Sequence, residues 1–198
     1  CGDKSSPMTQ RELRKFNSEI KSLNLQYKEK IMIYGDYNQP LQIHIDKMIS
    51  VPDEKWVYGA FNLIIDGYFY PGKEINWTLN MIINWLKSFL DEDINAYDMK
   101  HCEEHSAEYL FREAVISRIG YYYDEPEEKI SLEELKKIYP KKVGIEISLP
   151  EITDTGLELF FFRGKEKDIL VFYFQGTVSK IELDMGYIHK LIASLPDI

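Results

Sequence analysis

Apolar positions recur along this chain with two different periods, and the period assigns each segment. Leu13, Phe16, Ile20 and Leu23 fall on one side of a helix, which predicts an amphipathic helix over residues 8–29. Lys30–Tyr34 reads as a strand closed by the turn Gly35-Asp36-Tyr37-Asn38. Leu41, Ile43 and Ile45 then alternate with Gln42 and His44, the pattern of a half-buried strand. Trp56–Ile65 is a further strand, ended by the turn pair Asp66-Gly67.

The middle is helical. Leu79, Ile82, Ile83, Leu86 and Leu90 make one stripe, with Thr78 placed to cap its start and Asp91-Glu92-Asp93 to stop it. A second helix is expected over Glu104–Ser117, and Ser131-Leu132-Glu133-Glu134 has the spacing of a capping box. Val143–Leu149, Leu157–Phe162, Ile169–Phe174 and Val178–Leu183 are short strands, with turns at Arg163-Gly164 and Gln175-Gly176. They predict an antiparallel meander. A last helix is expected from Asp184, carrying Met185, Ile188, Leu191, Ile192 and Leu195 on one face. The whole reads as α+β: an antiparallel sheet with packed helices, plus the N-terminal amphipathic helix. No repeat or linker interrupts residues 8–198, so they are read as one domain, with residues 8–29 an arm and residues 30–198 the body.

Composition agrees with a folded core: of 198 residues, 44% are hydrophobic and 14% aromatic. No apolar run approaches the ~18–20 residues that span a bilayer. The formal charge is −9, which disfavours nucleic acid as a partner, since phosphate binding needs a basic face. An acidic surface suits a basic protein partner. Cysteine occurs at positions 1 and 102. Cys1-Gly2-Asp3-Lys4 resembles the mature end of a bacterial lipoprotein, a lipidated Cys1 followed by a polar tether over residues 1–7. The expectation from that likeness is a membrane-anchored periplasmic protein held by lipid alone, with a cytoplasmic one as the alternative. Cys102 is then a lone thiol, read as a small buried apolar group.

Candidate chemistry is sparse. His101-Cys102-Glu103-Glu104-His105 fits H-x-x-E-H, in which two histidines on one helix face hold zinc while the glutamate works on a bound water. No third ligand is recognisable after it, so His101, Glu104 and His105 are read as a polar helix start, with a zinc hydrolase as the alternative. Acidic pairs are too frequent to single one out, no G-x-S-x-G elbow or phosphate-binding glycine loop is present, and no cofactor is implied. The tyrosine clusters Tyr121-Tyr122-Tyr123-Asp124 and Tyr68-Phe69-Tyr70 carry more weight. Tyrosine offers a large rigid area with one polar tip and is enriched in protein interfaces. Asp91, Glu92, Asp93, Tyr121, Tyr122, Tyr123 and Asp124 are therefore the candidate partner-binding residues.

Three blocks carry a family likeness: Ile31-Met32-Ile33-Tyr34-Gly35-Asp36, Leu41-Gln42-Ile43-His44-Ile45, and the unusual Trp56-Val57-Tyr58-Gly59-Ala60-Phe61 strand that runs on to Gly67. In this order, ahead of an amphipathic helix, they resemble the immunity protein 42 family of bacterial polymorphic toxin systems. The resemblance implies a protein without catalytic residues that binds and neutralises a cognate toxin, encoded by an adjacent gene, by occluding it. It further implies that Trp56, Tyr58, Gly59 and Phe61 hold the fold. An envelope lipoprotein with an adaptor role is the remaining alternative.

Overall fold

The computed structural model describes residues 32–50, 55–72, 76–91, 99, 101–123, 125 and 128–198. The polar tether, the amphipathic arm and Cys1 lie outside the described residues.

The alternation in the first two blocks becomes one side of an antiparallel sheet. Strands β1 (Met32–Tyr34), β2 (Leu41–Ser50), β3 (Val57–Ile65) and β4 (Tyr68–Tyr70) lie in that order, and β5 (Trp77–Thr78) also pairs with β3. Register sets Ile43 opposite Leu63 and Ile45 opposite Phe61. Leu41, Ile43, Ile45, Phe61, Leu63 and Ile65 thus share one face, and all are buried. The second sheet has the order β6 (Ile145–Glu146), β7 (Glu158–Arg163), β8 (Lys167–Phe174) and β9 (Thr177–Asp184), again antiparallel throughout. The expected meander is this sheet. The sequence predicts one sheet where the structure has two, because alternation marks a strand's buried face but not which strands pair.

Both sheets turn a face into one inner core. Phe161, Leu159, Leu170 and Phe172 meet the first sheet there, with helix α1 (Leu79–Ser88) and a later helix, Tyr187–Ala193, packed against them. The Tyr70 ring crosses between the sheets and lies edge-on to Phe172 and Phe174 at 5.4 and 5.3 Å. The opposite face of the second sheet is covered by helix α2 (Ala107–Ile119). Phe160, Phe162, Ile169 and Val171 pack there against Leu110, Phe111, Ala114, Val115 and Cys102 in an outer core. Sheet two is therefore buried on both sides, and Leu159-Phe160-Phe161-Phe162 is a run of four buried residues with no solvent face. Cys102 is the buried thiol expected of it.

The family blocks acquire physical causes. Gly59 lies where a Cβ would stand 2.1 Å from the Asp46 carbonyl oxygen and 2.8 Å from Leu79. Gly35 has φ 115° and turns beneath Tyr187, whose hydroxyl donates to the Leu41 carbonyl at 2.7 Å and accepts from the Asp36 N–H at 2.9 Å. Phe61 is fully buried, whereas Trp56 precedes β3 and is half-exposed, so it does not anchor the fold as expected.

Several boundaries differ from expectation. Thr78 makes no side-chain cap, since it belongs to β5 and pairs with Tyr58. Helix α2 begins at Ala107, not Glu104. Ser106 caps it by accepting from the Tyr109 N–H at 3.2 Å, and Gly120 ends it in the left-handed region. Helix α3 (Leu132–Ile138) opens at the expected box, where Ser131 accepts from the Glu134 N–H at 3.3 Å and donates its hydroxyl proton to the Glu134 carboxylate at 2.9 Å. Val143–Leu149 contracts to β6, and the short helix α4 (Pro150–Thr153) follows it unforeseen. The final helix, α5 (Tyr187–Ala193), starts three residues late because Asp184 still pairs with Lys167 in the sheet. Met185 is exposed rather than on its buried face.

Under α5, His189 packs its ring on Phe89 and Phe161 at centroid distances of 4.9 and 6.2 Å, facing the Arg163–Asp168 ion pair. Its Nδ1 is buried with no hydrogen-bond partner. Burial first, then the charge of Arg163, hold this histidine below its ordinary pKa. As the pH falls through about 6.5, the unfolded chain takes up this proton before the folded one does, and stability is lost. Denaturant unfolding at pH 7.5 and 5.5 is expected to move the comparison in favour of His189→Gln at the lower pH. A wild-type-to-variant difference that is the same at both values would show that His189 does not contribute to acid sensitivity.

Candidate toxin-binding surface

The Tyr121–Tyr123 run follows the left-handed Gly120 that ends α2, so the chain turns back and lays these rings over the outer core. Each ring is held differently. Tyr122 and Tyr123 stack at 5.7 Å, and both lie edge-on to the buried Phe111 at 6.5 Å. The Arg112 guanidinium sits 5.1 Å over the Tyr122 ring and pairs with Glu125 at 2.5 Å and Glu128 at 3.6 Å. That pairing holds the Glu125 carboxyl below its ordinary value. Lys129 Nζ lies 5.7 Å from the centre of the Tyr121 ring.

Tyr123 is the most committed of the three. Its hydroxyl donates to Glu158 at 2.6 Å, yet the residue keeps 43% of its surface exposed. Burial and then the Glu158 bond push its pKa far up, so it stays a donor at any physiological pH. Burial likewise raises the Glu158 carboxyl. The Tyr123 bond opposes that rise, and the nearby negative charge of Glu146 adds to it. Glu146 in turn pairs with Arg118 at 3.3 Å.

Arg118 and Glu146 open onto a cleft of about 240 Å³ also lined by Trp85, Ser88, Phe89 and Lys142. Trp85 donates its indole N–H to the Ile147 carbonyl at 2.8 Å and is 39% exposed. Asp91 is exposed at the end of the 3₁₀ turn Phe89–Asp91, two residues past the ring that lines the cleft. The structure thus strings Tyr122, Tyr123, Glu158, Glu146 and the Trp85 cleft together, with Asp91 beside it. Glu92, Asp93 and Asp124 lie outside the described residues.

Sequence reading missed Trp85, Arg112, Glu146 and Glu158. A signal existed for Trp85 alone: it falls off the apolar stripe of α1 while being the largest side chain in the helix. The others join the surface through contacts 10 to 35 residues away, which no local pattern marks.

The H-x-x-E-H segment does not form the helix its chemistry presumes. Cys102–Glu104 is a separate 3₁₀ turn, with His101 left-handed before it and His105 extended after it. The two histidines therefore share no helix face. His101 Nδ1 contacts Glu104 at 3.3 Å, the His105 ring lies on Tyr109 at 4.7 Å, and Lys180 donates to the Glu103 and His105 carbonyls at 3.0 and 2.6 Å. Among the described residues no three His, Cys, Asp or Glu side chains are grouped to hold a metal ion. The turn is a staple between the outer layer and β9.

Comparison with known proteins gives concordant results. The family model described as immunity protein 42 matches residues 32–198. The uncharacterised protein PM0502 of Pasteurella multocida (strain Pm70) is 98% identical over 167 residues, which are 84% of this chain and 100% of that protein. The crystal structure of CdiI from Burkholderia dolosa AUO158 superposes with a TM-score of 0.57 at 17% identity, covering 82% of this chain and 96% of that one. At that identity the likeness is one of fold. The match over residues 32–198 shows that this chain belongs to the immunity protein 42 family.

Proposed function

We propose that the protein neutralises its cognate toxin by occlusion, without catalysis, through the surface that runs from Tyr122 and Tyr123 across Glu158 and Glu146 to the Trp85 cleft. One observation carries this reading: Tyr123 is locked by a ring stack and a 2.6 Å hydrogen bond while nearly half of it faces solvent. A ring ordered before the partner arrives loses little entropy on binding, and tyrosine and tryptophan are the usual energetic anchors of interfaces. Asp91, Glu146 and Glu158 supply negative charge at the same place, which favours a basic toxin face and speeds encounter. Glu92, Asp93 and Asp124 complete this acidic set in the sequence.

The test is titration of the protein with the product of the adjacent gene. A one-to-one complex is expected. Tyr123→Ala and Trp85→Ala are each expected to weaken it at least tenfold, about 1.4 kcal/mol or more. Tyr123→Phe, which keeps the ring, is expected to lose less. Unchanged affinity in both alanine variants, with a complex still formed, would reject this surface; no complex at all would reject the occlusion reading.

A further inference from the structure

The first sheet has a second face, pointing away from the inner core, which described segments cover in part: the turn before β2 holds Gln42, and the Gly72 N–H donates to Asn62 at 3.1 Å. Ile33 on β1 and Phe69 on β4 stand on this face 39% and 48% exposed, with His44 edge-on to Phe69 at 5.5 Å and Ile64 buried beside them. Asp46 lies on the same face of β2, and its Oδ1 is buried with no hydrogen-bond partner. A buried carboxylate oxygen left unpaired is rare, because it forfeits its solvation without a donor in return. This face therefore has apolar area in need of cover and an acceptor in need of a cation or an N–H.

We infer that residues 8–23 of the arm form a helix that lies on this face with its apolar stripe down, that the chain after Leu23 is the extended return to β1, and that one of the helix's cationic side chains reaches Asp46. Leu13, Phe16, Ile20 and Leu23 form a stripe along one side, the width a single helix presents to a sheet. The arm also joins the body at the right place: it ends where β1, the edge strand of this sheet, begins at Met32. The eight residues between Leu23 and Met32 reach up to about 28 Å, and a sheet of four strands is only about 15 Å across. Reversing over the face is within that reach.

Charge points the same way. Residues 1–30 carry seven basic and four acidic side chains, a net of +3, while the chain as a whole is −9, so residues 31–198 carry −12. Arg11, Arg14, Lys15 and Lys21 are the cations interleaved with the stripe. The opposite charge of arm and body favours docking over detachment at low salt. This inference is independent of which surface meets the toxin.

Hydrogen exchange on the full-length protein tests it. An amphipathic helix draws most of its stability from the surface it packs on, so amides of residues 12–23 are expected to be protected at least tenfold over free peptide. Phe69→Asp, at an exposed site, and Ile20→Asp, within the arm, are each expected to abolish that protection while β3 remains protected. Three results would overturn the inference: an arm that exchanges as free chain, protection that survives Phe69→Asp, or protection that appears only with phosphatidylglycerol vesicles, which would make the arm a membrane element.

Discussion

Replacing Arg163 by alanine is expected to destabilise the fold by about 3–5 kcal/mol at neutral pH, with much of the loss recovered in acid. Asp168 is the reason. Its side chain has no solvent exposure, although it sits in a strand of the inner core. Arg163 Nε pairs with one of its oxygens at 2.6 Å, and the Gly186 N–H donates to the other at 2.7 Å. Burial already raises the Asp168 carboxyl above its ordinary value, with the Gly186 bond and the Arg163 charge pulling the other way. Without Arg163 that balance tips further. A carboxyl whose folded pKa lies above its unfolded one gives stability that is present in acid and lost as the pH rises through the folded value. The defect of Arg163→Ala should therefore be largest at pH 7 and shrink toward pH 4. Asp168→Asn should be milder, because Arg163 keeps 28% of its side-chain surface exposed and can reach water. Urea unfolding of the three proteins across that pH range is the measurement. A loss under 1 kcal/mol, or one independent of pH, would show that the pair is not what holds this corner.

Arg118→Ala is expected to cost a similar 3–5 kcal/mol, by a different route. The Arg118 side chain ties α2 to the approach to β6: it donates to the Ala114 carbonyl at 2.7 Å within its own helix, and to the Val143 and Gly144 carbonyls at 2.7 and 2.8 Å. It also lies 4.7 Å over the Phe160 ring and pairs with Glu146. Truncation orphans two loop carbonyls, at about 1–3 kcal/mol each, and uncovers an aromatic ring. Since Arg118 and Glu146 line the Trp85 cleft, the same change should weaken toxin binding beyond what the lost stability explains. Arg118→Lys offers one point charge in place of a planar fork and should rescue little. Thermal unfolding compared with toxin titration separates the two effects, and full rescue by lysine would show that charge alone matters there.

Strand β2 was legible because Leu41, Ile43 and Ile45 alternate with polar Gln42 and His44, and β3 because its apolar run ends at the turn pair Asp66-Gly67. Helix α1 was legible through its 3.6-residue stripe, and the Ser131 box through a purely local hydrogen bond. The failures share a cause of the opposite kind. Thr78 has a good cap's chemistry but is taken by β5. The H-x-x-E-H spacing assumes a helix that Ser106 starts only after it. Tyr121–Tyr123 could be recognised as a cluster, yet their partners Arg112 and Glu158 are fixed by tertiary contact. Asp168 carried a readable hint: an aspartate inside Ile169–Phe174's apolar approach demands a partner, and hairpin pairing puts Arg163 directly opposite.

The strand with no wet face has a consequence for how the chain behaves before it is folded. Leu159-Phe160-Phe161-Phe162 is apolar, aromatic and uncharged, the kind of segment that self-associates when a nascent chain exposes it. Glu158 and Arg163 flank it at either end, and flanking charges are what oppose such stacking. Glu158 therefore serves twice, as a gatekeeper during synthesis and as the hydrogen-bond partner of Tyr123 afterwards. Making Glu158 apolar would release the Tyr123 hydroxyl and lower soluble yield at the same time.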